Sequence, residues 1–333
     1  MTLEKRVQAF VAALIHHEPF IGEFDALVAD SKHASPLERE AAIRMLLAWE
    51  HEHAELLGFA CIASGALVED GASPRIGIDT ILDRLADGAE MLAAAGPALE
   101  DANLDGNVAP PSALSRDERR WVAAFKSHVR GAMARLARDP EVRKKARAHA
   151  RLDASVRALA ERNYANHVHY LVQILDMLDD EPLHVIDLCA GGALLRYRAF
   201  GVRNGFHLMT LLDGGDPTAI TNRGAEFVSA KHGYFTWPAL RQIGETFTVA
   251  GLDAMLWGEP RALDLPRFEG VRTIIRAPLG MQRSWGTSLI SPIHEALHEH
   301  LVLEKTLPPI EARSVLSRIA QTAYTLTNSG ESG

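Results

Sequence analysis

Residues 179–189 read Asp179-Asp-Glu-Pro-Leu-His-Val-Ile-Asp-Leu-Cys189, and the character of the chain changes within this stretch. Before it, apolar residues recur at the three- to four-residue spacing of amphipathic helices. After it, short runs rich in β-branched residues alternate with glycines and prolines. Leu183–Leu188 is apolar on both faces apart from His184 and Asp187, which predicts a central, buried strand. The sequence therefore predicts a mixed fold, with a mainly helical domain over residues 1–180 and an α/β or α+β domain over residues 181–333.

The helical domain is predicted from apolar spacing and from helix-start signals. Residues 3–15 and 77–95 have the spacing of amphipathic helices. Ser35 and the proline after it mark the start of a helix that we expect to continue to Leu57. Ser115-Arg-Asp-Glu118 forms a capping box, and helices should continue from it with breaks to about residue 179. The intervening stretch 98–116 is rich in Asp, Asn, Gly and Pro and is predicted to be a loop.

The second half contains further candidate strands. The runs 206–212, 247–250 and 271–275 are short, apolar and rich in β-branched or aromatic residues. Glycines and prolines become frequent between them, as expected for connecting turns.

Composition limits the classes of function. The chain has 333 residues, an apolar fraction of 47%, a charged fraction of 23% and a net charge of −8 that is spread along its length. This charge argues against a nucleic-acid-binding surface. Two cysteines make no disulfide framework, and no apolar run approaches the roughly 20 residues of a membrane span. Because the first residues predict an amphipathic helix and no signal peptide, we expect a cytoplasmic protein, and the high Ala and Arg usage suggests a bacterial source.

The most specific chemical motif is His294-Glu-Ala-Leu-His298, which has the pattern H-E-x-x-H. On a helix, His294 and His298 lie one turn apart on the same face, so both imidazoles can reach one metal ion. Glu295 then lies beside the metal-bound water as a candidate general base. Ser291 and Pro292 fit the N-cap and the first position of such a helix.

This motif resembles that of zincin-like metalloenzymes, over about five residues. The resemblance implies a metal-dependent hydrolase for a small-molecule or peptide substrate, in which zinc activates water and Glu295 is the catalytic base. Two histidines and a carboxylate also suit iron(II) in an oxygen-activating enzyme. Glu311, on the next predicted helical segment, is the candidate third metal ligand. The flanks depart from the family, because Pro292 places the first histidine in the first helical turn and the charged Glu299 follows the second.

A second motif, Val185-Ile-Asp-Leu-Cys-Ala-Gly-Gly-Ala193, resembles motif I of class I S-adenosylmethionine-dependent methyltransferases. In that family a strand ends in an acidic residue, and a small-residue loop and a helix follow. The resemblance implies that Asp187, Gly191 and Gly192 contact S-adenosylmethionine and that residues 194–201 form the helix. Asp213 is the candidate for the acidic residue that binds the cofactor ribose. Ala193 replaces the last glycine that the family usually has.

Two further interpretations stay open. The H-E-x-x-H stretch also fits an ordinary amphipathic helix whose histidines flank an apolar stripe (Ile290, Ile293, Leu297 and Leu301). The protein is then a non-catalytic helical interaction protein in which every histidine is structural. Glu50 and His53 match the E-x-x-H spacing of di-iron carboxylate helices, although a polar helix face beside apolar neighbours is the favoured explanation.

Overall fold

The structure is a computed structural model that describes residues 1–16, 18–99, 112–162, 165–215, 227–279, 283–286 and 293–329. Contacts between Cα atoms divide the chain into two compact units, Met1–Leu175 and Asp176–Gly333. Over the described residues, the first unit consists of helices and turns, and the strands lie in the second. The predicted mixture of a helical half and an α+β half is therefore confirmed.

The first unit is built from consecutive helices whose starts are encoded locally. Ser35 and Ser115 each form a capping box with the glutamate three residues later, which satisfies the N–H groups of the serine and of that glutamate at both helix starts. The predicted helices at 3–15 and 77–95 are confirmed, whereas residues 100–111 of the predicted loop lie outside the described residues. The helices are α1 Leu3–Ile15, α2 Ile21–Ser31, α3 Pro36–Ala48, α4 Ala54–Glu69, α5 Ile78–Ala94, α6 Arg116–Leu136, α7 Pro140–Ala148, α8 Ala150–Arg162 and α9 Asn166–Asp176.

One helix of this unit ends earlier than predicted. The helix that starts at Ser35 does not continue to Leu57, because α3 ends at Ala48 and α4 begins at Ala54. Trp49 and His53 both have extended backbone, so the helix cannot continue through them. The Arg84 guanidinium donates hydrogen bonds to the carbonyls of Leu47 and Trp49, at the end of α3. Glu50 and His53 therefore lie in a connecting segment, and the E-x-x-H spacing does not place them on one face of a helix.

Helices α4 and α6 approach each other through glycines. A Cβ built on Gly131 would lie 2.3 Å from the carbonyl oxygen of Cys61, so only hydrogen fits at this position. Gly58 and Gly65 on α4 face α6 with Cβ contacts of 3.0 and 3.1 Å. The small residues let the two backbones pack in direct contact around a core that contains Leu67 and Phe125.

The second unit is built around a mixed sheet. Over the described residues its strand order is β10-β2-β1-β8-β4, and β7 pairs with β8 to make six strands. Strand β1 runs parallel to β8 and antiparallel to β2. The elements are β1 Glu181–Asp187, β2 Ala193–Phe200, α10 Gly205–Leu212, β3 Phe227–Ala230, β4 Gly233–Thr236, β5 Leu240–Ile243, β6 Thr246–Val249, β7 Arg267–Phe268, β8 Val271–Ala277, β9 Arg283–Gly286, β10 His300–Leu307 and α11 Pro309–Ser329.

Each face of this sheet packs against one helix. Leu208 and Met209 of α10 lie in one buried cluster with Val185 and Ile274, and Leu316 of α11 lies in the other cluster, on the opposite face. The predicted strands at 183–188, 247–250 and 271–275 are confirmed as parts of β1, β6 and β8. Leu183, Val185 and Ile186 are all fully buried, as expected for a strand covered on both sides.

The predicted strand at 206–212 is wrong, since this run forms helix α10. The Asn204 side chain accepts a hydrogen bond from the His207 N–H at 3.0 Å and caps the helix start. A short, mostly apolar run fits a buried strand and a buried helix equally well, and the local cap decides between them.

The helix predicted at 194–201 is also wrong, because these residues form β2 and pair back onto β1. Gly191 and Gly192 both have positive φ, of +70° and +96°, which suits a tight reversal of the chain. The Asp187 carboxylate accepts the N–H groups of Cys189 and Ala190 and fixes the first part of this turn. The strand–loop–helix arrangement of methyltransferase motif I is therefore replaced by a hairpin.

The helix predicted around the H-E-x-x-H motif is wrong as well. Residues 293–296 form bends and a turn, residues 297–299 have no regular structure, and His300–Leu307 is strand β10, which pairs with β2. The predicted N-cap Ser291 and first position Pro292 lie outside the described residues. No helix among the residues that the structure describes is long and apolar enough to cross a membrane.

Candidate functional site

Polar side chains meet where the parallel strands β1 and β8 end. Asp187 closes β1 and is in register with Arg276 of β8. Tyr234 of β4 is paired with Arg276 from the other side. Side chains alternate along strands, so Asp187 and Arg276 share the α10 face of the sheet with Val185 and Ile274. The carboxyl ends of parallel strands are a common location for ligand sites in mixed sheets.

Asp213, the C-cap residue of α10, accepts hydrogen bonds from three groups. Its Oδ1 lies 2.7 Å from the Tyr234 hydroxyl and 2.9 Å from His232 Nδ1, and its Oδ2 lies 2.9 Å from the Lys231 N–H. Burial alone raises the pKa of this carboxyl, but these hydrogen bonds outweigh burial and lower the pKa below its ordinary value. Asp213 is therefore ionised at neutral pH.

Tyr234 serves as a fixed donor to Asp213. Its side chain is fully buried in the cluster beneath α10. Burial, followed by the hydrogen bond to Asp213, raises the pKa of the phenol well above its ordinary value. The hydroxyl keeps its proton throughout the physiological range and holds the carboxylate in place.

The bond between Asp213 and His232 defines the tautomer of the imidazole. An ionised carboxylate can only accept, so we assign the ring proton to Nδ1, and the neutral ring then carries its lone pair on Nε2. The His232 side chain is 23% exposed, so solvent or a small ligand reaches it. This pairing of an ionised aspartate with an accessible imidazole orients the histidine for proton transfer.

Arg276 joins the two carboxylates. Its Nη1 donates to Asp187 Oδ2 at 3.2 Å, and its Nη2 lies 3.8 Å from Asp213 Oδ1. Nη2 also lies 2.9 Å from Nδ1 and 3.2 Å from Nε2 of His232. Asp187, Asp213, His232, Tyr234 and Arg276 thus form one connected network, called the Arg276 cluster below.

Cys189 lies close to this cluster but is not an activated nucleophile. The residue is exposed on the turn between β1 and β2. Partial burial, and after it the charge of Asp187, raises the pKa of the thiol above its ordinary value. Since the thiolate is the reactive form, a thiol that stays protonated at neutral pH is a poor nucleophile.

The structure brings together two of the four residues predicted for S-adenosylmethionine. Asp187 and Asp213 meet through Arg276. Gly191 and Gly192 lie instead in the β1–β2 hairpin turn, where positive φ angles explain them. Binding of S-adenosylmethionine stays a prediction, but the glycines have a purely structural reason to be present.

The predicted metal ligands are not arranged by a helix. His294 Nδ1 accepts the N–H of Ala296 at 3.2 Å within its own turn, while Glu295 and His298 are exposed. Glu311 is exposed in the first turn of α11. Over the described part of the chain, no three His, Cys, Asp or Glu side chains group in a way that could hold a metal ion. Zinc or iron(II) binding by these residues stays a prediction.

Glu299, the residue directly after the H-E-x-x-H motif, is a buried acidic residue. The Glu299 side chain has no exposed surface and lies 3.8 Å from both Arg203 Nη2 and His207 Nε2. A Cβ on Gly201 would lie 3.2 Å from Glu299 Cγ, so the end of β2 packs tightly against this carboxylate. The charges are matched inside the fold, which makes this group a structural contact between β2, α10 and the start of β10.

Sequence reasoning missed His232, Tyr234 and Arg276. The signal for Arg276 was a charged residue two positions after Ile274, on the same face of a strand predicted to be buried. No comparable signal marks His232, because its partner Asp213 lies in a different element.

Comparison with known proteins does not assign the chain to a family. No protein-family model, no curated protein and no solved structure matches this chain.

Proposed function

We propose that the second unit is an acid–base enzyme of the hydrolase type, with His232 as the proton-transferring residue and Asp213 as the residue that positions it. One observation carries the proposal. A half-buried carboxylate with a lowered pKa accepts a hydrogen bond from an accessible imidazole and is held by two further donors.

The chemistry that these residues can perform is activation of water. His232 Nε2 accepts a proton from water while the water oxygen bonds to the carbonyl carbon of an ester or amide. The imidazolium that forms is stabilised by the ionised Asp213, whose own proton affinity is kept low by Tyr234 and Lys231. The imidazolium then returns the proton to the leaving group, so the histidine ends each turnover neutral.

The test is hydrolysis of p-nitrophenyl acetate by the full chain. His232→Gln keeps the size and polarity of the side chain but removes proton transfer, so we expect kcat/KM to fall by about 100-fold or more. His184→Gln is the matched control, because His184 is a half-buried histidine of β1 that the sheet directs to the opposite face. Equal rates for the wild type and His232→Gln would contradict the proposal.

A second control separates this mechanism from the metal-dependent one. His298→Ala removes one histidine of the H-E-x-x-H motif, which is exposed and outside the Arg276 cluster. We expect its rate to equal that of the wild type. A rate lost in His298→Ala together with bound zinc or iron, and kept in His232→Gln, would favour the metal-dependent hydrolase instead.

A further inference from the structure

Over the described part of the chain, the carboxylate acceptors of the Arg276 cluster already have hydrogen-bond partners, whereas some guanidinium donors do not. Both oxygens of Asp187 and of Asp213 already accept hydrogen bonds from the groups described above. A guanidinium carries five N–H donors. Each Nη nitrogen of Arg276 carries two of them. Nη1 donates one to Asp187 Oδ2 and Nη2 donates one to His232 Nε2, so among the described residues each retains an N–H. The cluster therefore has donors to offer to a ligand and few acceptors.

The charge of the cluster limits what a ligand can carry. Two carboxylates face one guanidinium, which leaves one net negative charge when His232 is neutral. A phosphate dianion would meet this negative charge at close range and be repelled about twice as strongly as a singly charged carboxylate. A carboxylate has a single charge and two coplanar oxygens, which match the two free Nη donors of a guanidinium end-on.

We propose that Arg276 recognises a carboxylate of the substrate, so that the substrates are small carboxylic acids that also carry a hydrolysable ester or amide. This inference rests on the proposed function of the cluster. The Arg276 side chain is 22% exposed, so its guanidinium can be reached from solvent.

The same contact links binding to the chemical step. Arg276 Nη2 lies 3.2 Å from His232 Nε2, the atom that must accept a proton from water. A substrate carboxylate that draws the guanidinium toward itself weakens this contact and leaves the Nε2 lone pair open to water. Arg276 is then a specificity-determining residue that also releases the base when the correct substrate is bound.

The kinetic arm of the test compares mono-p-nitrophenyl glutarate, which has a free carboxylate, with its uncharged methyl ester. We expect the wild type to prefer the carboxylate ester in kcat/KM by about 10- to 100-fold, the range of a charge-assisted hydrogen-bonded pair. Arg276→Lys keeps the charge but loses the paired donors, so the preference should fall toward unity. Arg198→Lys is the matched control, since Arg198 also bridges two carboxylates but lies elsewhere, on β2.

The binding arm uses no catalysis and therefore separates the two proposals. Calorimetric titration with benzoate should show binding to the wild type, the same affinity in His232→Gln, and at least about tenfold weaker binding in Arg276→Lys. Benzoate binding that is unchanged in Arg276→Lys, equal binding of benzamide, or tighter binding of inorganic phosphate would each overturn the carboxylate proposal. Benzoate binding with no hydrolysis of either ester overturns only the proposed hydrolase.

Discussion

Arginines chosen from the two units illustrate two kinds of partner for a guanidinium group. In the helical unit, several arginines donate to backbone carbonyls where a helix ends, for example at the ends of α2, α3 and α6 (Arg39 to Ser31 and Lys32, Arg84 to Leu47 and Trp49, Arg143 to Leu136 and Ala137). Arg276 of the second unit contacts Asp187, Asp213 and His232 instead. The first group completes the helices, whereas Arg276 completes no element of secondary structure.

This difference separates residues needed for folding from residues available for function. The last carbonyls of a helix have no partner within the helix, and a cationic donor satisfies them and complements the helix dipole. Even on β8, Arg272 follows the structural pattern, because it donates to the Leu263 carbonyl and pairs with Glu181. Arg276, four residues further along the same face, has only side-chain partners among the described residues. Its partners at the end of the strand are the titratable side chains of the Arg276 cluster.

The strongest way to test the helical side of this comparison is Gly131→Ala. The added methyl group would lie 2.3 Å from the Cys61 carbonyl oxygen, which is backbone and cannot rotate away. We expect α4 and α6 to be forced apart and the free energy of unfolding to fall by about 3–4 kcal/mol. Urea unfolding followed by circular dichroism measures this change.

Gly22→Ala is the matched control, because nothing lies within 4 Å of a Cβ at that helical position. Alanine has the better helix propensity, so Gly22→Ala should leave stability unchanged or raise it by up to about 1 kcal/mol. If both variants were equally stable, close packing of α4 on α6 would not be what holds this unit together.

The second test addresses the arginines directly. Arg84→Met leaves the carbonyls of Leu47 and Trp49 without their donor, so we expect a loss of about 2–3 kcal/mol in unfolding free energy. Arg276→Lys should change stability by less than about 1 kcal/mol, because the positive charge between the two aspartates is kept. Thermal unfolding monitored by calorimetry compares the two variants.

The exposed Arg44, whose partner is Glu40 one helical turn away, is the control for a methionine at an arginine position. Arg44→Met should cost no more than about 0.5 kcal/mol. A larger loss in Arg276→Lys than in Arg84→Met would reverse the comparison, since Arg276 would then be the structural arginine.

The elements that could be predicted from sequence are those with a strong local signal. Capping boxes at Ser35 and Ser115 fixed two helix starts, and the two-sided apolar run 183–188 identified β1. Strand β10 was not predicted, because it is mostly exposed and lies at the sheet edge. Its residues therefore show no alternation of apolar and polar side chains. Its pattern therefore resembled a helix that continued from the H-E-x-x-H motif.

The site was only half predictable. Asp187 and Asp213 stood out because each follows an apolar run and one resembles a cofactor-binding acid. Their common partner Arg276 lies 89 residues from Asp187 along the chain and reaches it only because β1 and β8 pair in parallel. Such pairing between distant strands leaves no trace in local spacing, which is why His232 and Tyr234 were missed as well.

The surroundings of His128 in the helical unit differ from those of His232 in the second unit. The smallest of the expected effects on stability follows from His128. His128 of α6 is buried, and its Nδ1 lies 3.2 Å from the Ala124 carbonyl oxygen, in contrast to His232 beside its aspartate. Burial lowers the pKa of His128 to about 4, although the bond to Ala124 opposes this. In the unfolded chain the pKa is about 6.5, so only the unfolded state takes up a proton as the pH falls from about 6.5 toward 4.

Stability should therefore be full above about pH 7 and decrease as the pH falls through this window, with a loss from His128 of about 2 kcal/mol at pH 5. The variant His128→Gln cannot take up this proton. Whatever its free energy of unfolding at pH 8, the decrease between about pH 8 and pH 5 should therefore be about 2 kcal/mol smaller than in the wild type. Urea unfolding at the two pH values measures the difference. His33→Gln replaces an exposed histidine of the same unit and should keep the wild-type dependence. An unchanged acid sensitivity in His128→Gln would mean that burial does not hold His128 neutral.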